Sequence, residues 1–146
     1  MTANPASGNR TDDIVEITQT LARYSVIMTQ GDMSDLLSVF TPDGTYSAFG
    51  DTMPLSEFPD LVAAAPKGLY LTGTPVVTFT GEDTATGVTT LCFTDHATHD
   101  MRIGYYNDTY QRTEAGWRLK TRAMTFIRRN GEHNSGQPHA YKRAEA

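Results

Sequence analysis

Asp108 and Arg122 are the first candidates for a chemical role, because two predicted strands place this carboxylate and this guanidinium opposite each other. The strands are joined at residues 114–116, where Gly116 supplies the left-handed conformation that a three-residue hairpin loop requires. The predicted register pairs Thr113 with Trp117, Tyr110 with Lys120, Asp108 with Arg122 and Tyr106 with Met124. Because directly opposed side chains share one face of a sheet, the two charges lie among tyrosines. Such a pair either braces the sheet or presents the arginine to an anionic or enolate ligand.

A second cluster combines imidazole and carboxylate groups at the connection between two predicted strands. His96 and His99 lie beside Asp95 and Asp100, a composition suited to metal binding or to a catalytic base. Their spacing matches no zinc pattern, and loops collect polar residues, so we expect a solvated turn and no metal site.

The composition is typical of a small acidic protein with one domain. Its 146 residues and 16.1 kDa suffice for a hydrophobic core without metals, and the single cysteine, Cys92, excludes an internal disulfide. The net charge of −5 argues against nucleic acid as a partner, since phosphate binding needs a basic surface. No secretory leader or membrane-spanning run is visible in the sequence, so we expect a cytoplasmic protein with no membrane partner.

Hydrophobic periodicity predicts helices first and a long antiparallel meander afterwards. The first helix begins near Thr11 and buries a stripe with spacings of three and four residues. The stripe consists of Ile14, Ile17, Leu21, Tyr24 and Met28. Further helices are predicted at 33–40, with Leu36, Leu37 and Phe40 inward, and at 55–65, and strands at 45–49, 69–80, 84–94, 101–112 and 117–128. This order predicts an α+β domain with helices on one face of a curved antiparallel sheet.

Three motifs, in their order and spacing, are similar to those of one family. They are Leu21-Ala-Arg-Tyr24 with Gly31-Asp32 and residues 37–44, then residues 81–87, then Tyr106-Asn-Asp108 with residues 116–122. On these motifs the chain resembles the SnoaL-like group of the nuclear-transport-factor-2-like superfamily, whose fold is a cone-shaped curved antiparallel sheet packed on N-terminal helices. The expected division is a disordered N-terminus at 1–10, a SnoaL-like domain at 11–128 and a polar C-terminal tail at 129–146.

The resemblance implies a deep apolar pocket between the helices and the concave face of the sheet. In a dehydratase and a dehydrochlorinase of the group, an Asp near the end of the first helix and a His opening the long strand move one proton. Aligned on the shared motifs, the Asp position falls on Thr29 and the His position on Tyr70, and neither serves as a base near neutral pH. Arg122 falls where the dehydrochlorinase has a pocket arginine. Tyr46 and His96 fall near a further pocket tyrosine and a further pocket histidine of the dehydratase. The resemblance therefore implies that His96, and not His99, is the candidate acid or base, with a bulge that turns it into the cavity.

Two classes of function follow from the resemblance. The first is a cofactor-free isomerase, dehydratase or cyclase acting on a hydrophobic carbonyl, polycyclic or terpenoid compound. In that enzyme His96 is the acid or base, Tyr24 and Tyr46 polarise a carbonyl, and the charge of Arg122 stabilises developing negative charge. The second is a non-catalytic module for ligand binding or dimerisation, and a third is the small structural subunit of a ring-hydroxylating dioxygenase.

The expected partners are a small hydrophobic ligand and a second copy of the chain. The predicted ligand contacts are Met28, Thr29, Tyr70, Tyr106, Asp108, Met124 and Phe126. Members of the group commonly pair through the sheet, so the resemblance implies a homodimer.

Overall fold

The computed structural model describes residues 10–48 and 51–135 of the chain. The predicted N-terminal segment, 1–10, lies outside the described residues except for Arg10, which is the first residue of a helix. Residues 136–146 of the predicted tail also lie outside them. In the part that is described, no helix combines the length and the apolar character that crossing a bilayer demands.

Helix α1 spans Arg10–Gln30 and packs against two strands of the sheet, Gly68–Thr72 and Gly116–Ile127. Asp12 and Asp13 occupy its first turn, where carboxylates stabilise the positive end of the helix dipole. The helix ends at Gly31, whose φ is 84° and whose backbone N–H donates to the carbonyl of Ile27 at 2.9 Å. A left-handed glycine of this kind closes the helix by satisfying one of its last carbonyls.

The buried stripe of α1 begins one turn later than predicted. Its buried members are Ile17, Leu21, Tyr24 and Met28. The side chain of Ile14 is 40% exposed and lies outside the stripe. The predicted second helix is a 3₁₀-helix, Met33–Val39, which buries Leu36 but leaves Leu37 exposed. The tighter 3₁₀ winding, with about three residues per turn, gives these adjacent leucines different directions.

Within the described residues, eight strands form one mixed sheet. They are β1 (Phe40–Ala48), β2 (Asp51–Pro54), β3 (Gly68–Thr72), β4 (Val76–Phe79), β5 (Thr84–Asp95), β6 (Met101–Thr113), β7 (Gly116–Ile127) and β8 (His133–Ser135). Their order is β2-β1-β7-β6-β5-β3, with β4 paired to β5 and β8 paired to β7. The β1–β7 pairing is parallel and the other pairings are antiparallel, so the sheet is not purely antiparallel.

Two predicted elements are divided in the structure. The predicted strand 69–80 is separated into β3 and β4, because Pro75 has no N–H for a continuous ladder. The predicted helix 55–65 is a 3₁₀-turn, Leu55–Glu57, followed by α2, Phe58–Ala64. Pro59 lies in the first turn of α2, where a missing N–H costs little. The short strands β2 and β8 were not predicted, and β8 lies within the predicted tail.

The β6–β7 hairpin has the predicted register only beyond a bulge. The predicted pairs Asp108 with Arg122 and Tyr106 with Met124 are confirmed. Nearer the turn the pairs are Thr113 with Gly116, Arg112 with Trp117 and Tyr110 with Leu119, so the predicted pairs there are wrong by one residue. Gly116 has a φ of 111°, as a left-handed position requires, but the turn itself holds only residues 114–115. Lys120 has no partner in the ladder and forms a bulge. Beyond this bulge the strands have the predicted register, which places Asp108 opposite Arg122.

Candidate ligand-binding site

An apolar cavity lies between α1, α2 and the inner face of the sheet. The cavity has a volume of about 70 Å³. Aromatic rings form much of its wall: Tyr24, Tyr46, Phe58, Tyr70, Phe93, Tyr106 and Phe126. The other wall residues are Met28, Leu61, Val62, Ala65, Pro66, Leu91, Met124 and Arg102.

The cavity has a buried end and a half-exposed rim. Tyr24 and Tyr106 at the buried end are each 1% exposed, and Tyr46 is 8% exposed. The rings of Tyr24 and Tyr106 meet edge to face at 6.0 Å, and Tyr46 stacks on Phe58 at 4.6 Å. The rim consists of half-buried residues: Leu61, Ala65, Pro66, Tyr70, Arg102 and Phe126. Edge-to-face and stacked contacts hold the phenol rings in fixed positions, so the buried end is a pre-formed surface.

Arg122 and Asp108 lie behind the tyrosine wall of the buried end. Nε and Nη2 of Arg122 donate to the two carboxylate oxygens of Asp108 at 2.9 and 2.8 Å. The guanidinium carbon lies 3.7 Å from the ring centroid of Tyr106 and 4.5 Å from that of Tyr24. Nη1 of Arg122 is buried and has no hydrogen-bond partner among the described residues, and the guanidinium group makes cation–π contacts with both tyrosine rings.

Burial determines the protonation state of the tyrosines in the cavity wall. Burial raises the pKa of Tyr24, Tyr46 and Tyr106 above the ordinary value of 10.0, and the positive charge of Arg122 only partly opposes it. These phenols are therefore neutral near pH 7 and act as hydrogen-bond donors. Burial alone lowers the pKa of Arg122, but the Asp108 carboxylate outweighs it and raises the pKa above its ordinary value. The arginine therefore stays charged.

Seven of the predicted site residues line the cavity directly. They are Tyr24, Met28, Tyr46, Tyr70, Tyr106, Met124 and Phe126. Asp108 and Arg122 are buried but do not line it, since Tyr24 and Tyr106 stand between their charges and the open space. Thr29 and His96 lie outside the cavity wall, and both are exposed.

The structure contradicts the prediction that a bulge turns His96 inward. His96 lies in the turn between β5 and β6, and its backbone N–H donates to the carbonyl of Lys67 at 3.1 Å. Asp95 builds this turn by accepting the N–H groups of Ala97 and Thr98 at 2.8 and 3.1 Å. The carboxylate of Asp95 thus accepts hydrogen bonds from the backbone, which explains why the polar cluster forms a solvated turn.

The contact between α1 and β3 contains two residues that the sequence analysis did not predict, Ser25 and Thr72, beside the predicted Thr29 and Tyr70. The hydroxyl of Thr29 accepts the backbone N–H of Tyr70 at 2.9 Å on the exposed side of this contact. One helical turn earlier, the hydroxyls of Ser25 and Thr72 meet at 3.0 Å, and Ser25 is 8% exposed. Ser25 lies four residues after Leu21 of the buried stripe, a spacing that already placed it on the inner face. Hydroxyl side chains thus occupy both levels of the contact, so no ionisable pair lies there.

The wall of the cavity offers hydrogen-bond donors but no general base. Among the described residues that line it there is no Asp, Glu or His, and Arg102 is the charged one. Within residues 10–48 and 51–135, no group of acidic, histidine or cysteine side chains is placed to hold a metal ion. The arrangement can bind an apolar molecule and donate hydrogen bonds to an acceptor on it.

The α+β fold, with an N-terminal helix packed on a mixed sheet, is that of one family. A model of the family described as the SnoaL-like domain matches residues 9–123, and the chain belongs to this family. No curated protein matches the chain in sequence.

Solved structures with the same fold support this assignment. A variant of Rv3472 from Mycobacterium tuberculosis is 25% identical, with a TM-score of 0.73 over 84% of this chain and 76% of that chain. An NTF2-like protein with a cystatin-like fold from Novosphingobium aromaticivorans is 25% identical, with a TM-score of 0.70 over 81% and 84% of the two chains. LinA is 14% identical, with a TM-score of 0.69 over 94% and 96%, a likeness that concerns the fold alone.

Proposed function

We propose that the protein binds a small hydrophobic ligand, of aromatic, polycyclic or terpenoid type, that carries a carbonyl oxygen. The observation that carries this proposal is the make-up of the buried end. It is an aromatic surface with three neutral phenols, Tyr24, Tyr46 and Tyr106, backed by one fixed cation. Phenol donors match a carbonyl acceptor, and the apolar wall matches the rest of such a molecule.

The Arg122 cation favours an uncharged acceptor at this end of the ligand. The Asp108 carboxylate, which accepts two hydrogen bonds from Arg122, already neutralises this charge. A second anion here would therefore lose its hydration and gain little electrostatic stabilisation. A neutral carbonyl avoids that cost. The cation lies 3.7 Å from the ring centroid of Tyr106, where it makes the phenol a stronger donor.

Binding of acetonaphthone and of ethylnaphthalene, which share a ring system but differ in the carbonyl, tests the proposal. We expect both compounds to raise the melting temperature and the ketone to bind more tightly. In Tyr106→Phe the preference for the ketone should fall roughly threefold to tenfold, as the loss of one neutral hydrogen bond implies. Tyr105→Phe is the matched control, because Tyr105 lies next in sequence on the outer face and bonds His133 instead. A flat response to both compounds contradicts the proposal.

A second candidate function is cofactor-free isomerisation, dehydration or cyclisation of the same ligand. The stacking of Arg122 on Tyr106 favours it, since a polarised phenol stabilises negative charge developing on a carbonyl oxygen. The described cavity wall offers no carboxylate or imidazole, so water must accept the proton. Exchange of the methyl hydrogens of acetonaphthone with deuterated water, followed by NMR, distinguishes binding from catalysis. Exchange no faster than in buffer contradicts the second candidate, whereas faster exchange that Tyr106→Phe removes supports it.

We also propose that the chain forms a homodimer through the outer face of the sheet. Leu69, Leu71, Met101 and Ile103 are each between 46% and 67% exposed on this face. Leu71 pairs with Cys92 and Cys92 with Ile103, so these apolar residues occupy neighbouring strands. Such a patch is typical of an interaction surface.

Sedimentation velocity tests the dimer. We expect Leu71→Arg to convert a dimer to a monomer, because it places a charge in an apolar contact. Thr86→Arg, on the same face of β5 but away from these residues, should leave the dimer intact. A wild-type chain that sediments as a monomer at all concentrations contradicts the proposal.

A further inference from the structure

The cavity is smaller than the ligand that the proposed function requires. Its volume is about 70 Å³, whereas a dry apolar cavity that takes up a single benzene ring has roughly 150 Å³. A two-ring ketone such as acetonaphthone needs more room than benzene. Because a close-packed protein interior is hardly compressible, one wall of the cavity has to move when such a ligand binds.

Most of the cavity wall is fixed by hydrogen bonds between elements. The strands β5, β6 and β7 are joined to one another along long ladders. Helix α1 is joined to β3 and β7 by the hydrogen bonds of three hydroxyl side chains. These belong to Thr20, Ser25 and Thr29, with donor–acceptor distances of 2.9, 3.0 and 2.9 Å. Moving α1 or the strands would break these bonds, so neither is the wall that moves.

Helix α2 is attached to the rest of the molecule by apolar contacts. Within the described part of the chain, no hydrogen bond joins residues 58–66 to a strand or to α1. The backbone N–H of Ala65 donates to the carbonyl of Val62 at 3.0 Å. Nζ of Lys67 donates to the carbonyl of Ala63 at 3.4 Å, so this bond also stays local. Apolar contacts have no fixed direction, so contacts with a ligand can replace them.

The two ends of α2 are held differently. Phe58 at its start is 1% exposed, and its ring stacks on that of Tyr46 at a centroid distance of 4.6 Å. Toward the other end, Val62 is buried, but Leu61 and Ala65 are half-buried at the rim of the cavity. Phe58 is therefore the fixed point of the helix, and the end from Leu61 onward is the part that can lift.

Lifting this end unwinds it. The seven residues of α2 make about two turns, and so short a helix is not stable in water without packing. Ala65 already has an extended backbone, with φ −77° and ψ 154°, as the residue before a proline prefers. Unwinding lengthens the segment, because each residue advances about 1.5 Å along a helix and about 3.3 Å in an extended chain. The added length widens the opening at the rim.

We propose that α2 is a lid, which unwinds from Leu61 onward while Phe58 stays in place, and which must open for the ligand to enter. This inference rests on the proposed binding function and adds the route by which the ligand reaches the buried phenols. After entry the lid packs against the ligand, further from the sheet than in the free protein, because the closed cavity is too small for both.

Hydrogen exchange and binding kinetics of Ala63→Gly test the inference. Ala63 is exposed and does not line the cavity, and glycine in its place weakens the helix. We expect the amide protection factors at 62–65 to fall roughly threefold to fivefold in the free protein. The association rate of acetonaphthone, measured by stopped flow, should rise by the same factor. Ala22→Gly is the matched control, because Ala22 is exposed on α1, and it should change neither quantity.

The possible outcomes separate this inference from the proposed function. An unchanged association rate in Ala63→Gly, with or without faster exchange of α2, overturns the inference and leaves the binding proposal standing. An equal rise in the association rate in Ala22→Gly does the same. Amides of α2 that exchange as slowly in wild type as those of β5 and β6 overturn the lid whether or not a ligand binds. Failure of acetonaphthone to bind wild type overturns both proposals.

Discussion

Two arginine–carboxylate pairs in this molecule use the same chemistry in different surroundings. In one, Arg122 bonds Asp108 at 2.9 and 2.8 Å, and in the other Arg112 bonds Asp13 at 2.9 and 3.2 Å. Each guanidinium also lies over an aromatic ring, Tyr106 for Arg122 and Trp117 for Arg112. The difference is exposure: the side chains of the first pair are 1% and 0% exposed, those of the second 35% and 14%.

The difference in exposure corresponds to a difference in task. The Arg112–Asp13 pair closes one end of the molecule, where Asp13 also accepts the indole N–H of Trp117 at 3.0 Å and bonds Arg10 at 3.0 Å. It joins the first turn of α1 to the β6–β7 hairpin and to the β4–β5 turn, and its parts remain in contact with water. The Arg122–Asp108 pair holds a charge under the cavity wall, where water does not reach it. The first pair fastens elements together, and the second sets the electrostatics of the site.

The largest expected effect comes from breaking the buried pair. Asp108→Asn leaves the Arg122 cation buried without its counter-charge, so we expect a loss of about 3–5 kcal/mol in the free energy of unfolding. Urea unfolding followed by circular dichroism measures it.

The double variant Asp108→Leu/Arg122→Met is the control for this prediction. It removes both charges, so it should unfold at higher urea than Asp108→Asn alone. A single variant as stable as wild type would mean that the pair is not buried as described.

The next effect concerns the pair at the end of α1. Asp13→Ala removes the acceptor of Arg112, Trp117 and Arg10 together, and we expect a loss of about 1–3 kcal/mol in the free energy of unfolding. The neighbouring Asp12→Ala is the control, because Asp12 is exposed on the same helical turn. Equal losses from the two variants would mean that only the helix dipole matters there.

The same carboxylate predicts how stability depends on pH. Burial raises the pKa of Asp13, but hydrogen bonds from Arg112, Trp117 and Arg10 outweigh it and hold the pKa below its ordinary 3.8. The folded state thus binds this proton less readily than the unfolded state, so the contribution is complete above 3.8 and is lost as the pH falls below it. Urea unfolding of wild type and Asp13→Asn at several pH values should show their difference shrinking in that range. A difference that grows with acid contradicts the assignment.

The sequence predicted the buried pair better than the exposed one because a hairpin is local. Asp108 and Arg122 are joined by a short turn, and strand alternation alone placed them opposite each other, although the turn is shorter than predicted and a bulge corrects it. Arg112 and Asp13 are 99 residues apart in sequence, and no local pattern connects the start of α1 with that hairpin. The same limit hid β8 and the parallel β1–β7 pairing.

The site residues divide in the same way. Inward residues on regular elements, such as Tyr24 on α1 and Met124 on β7, follow from periodicity and line the cavity. His96 could not be placed, because its direction depends on how Asp95 folds the turn. Arg102 lines the cavity but was not predicted to do so, because a charged residue at a strand end is usually solvated.

The smallest effect is expected at Asp83, which belongs to the same group of side chains as Arg112 and Asp13. Asp83 bonds Nε of Arg112 at 2.8 Å, but its side chain is 61% exposed. Water solvates both groups when the pair is broken, so Asp83→Ala should change the free energy of unfolding by at most about 0.5 kcal/mol. The expected losses in the free energy of unfolding therefore decrease from Asp108 through Asp13 to Asp83. This order follows burial, since all three carboxylates bond an arginine at similar distances. Urea unfolding of the three variants side by side tests this order. An equal loss in the free energy of unfolding for Asp83→Ala and Asp13→Ala would show that the number of linked side chains, and not burial, determines the strength of these pairs.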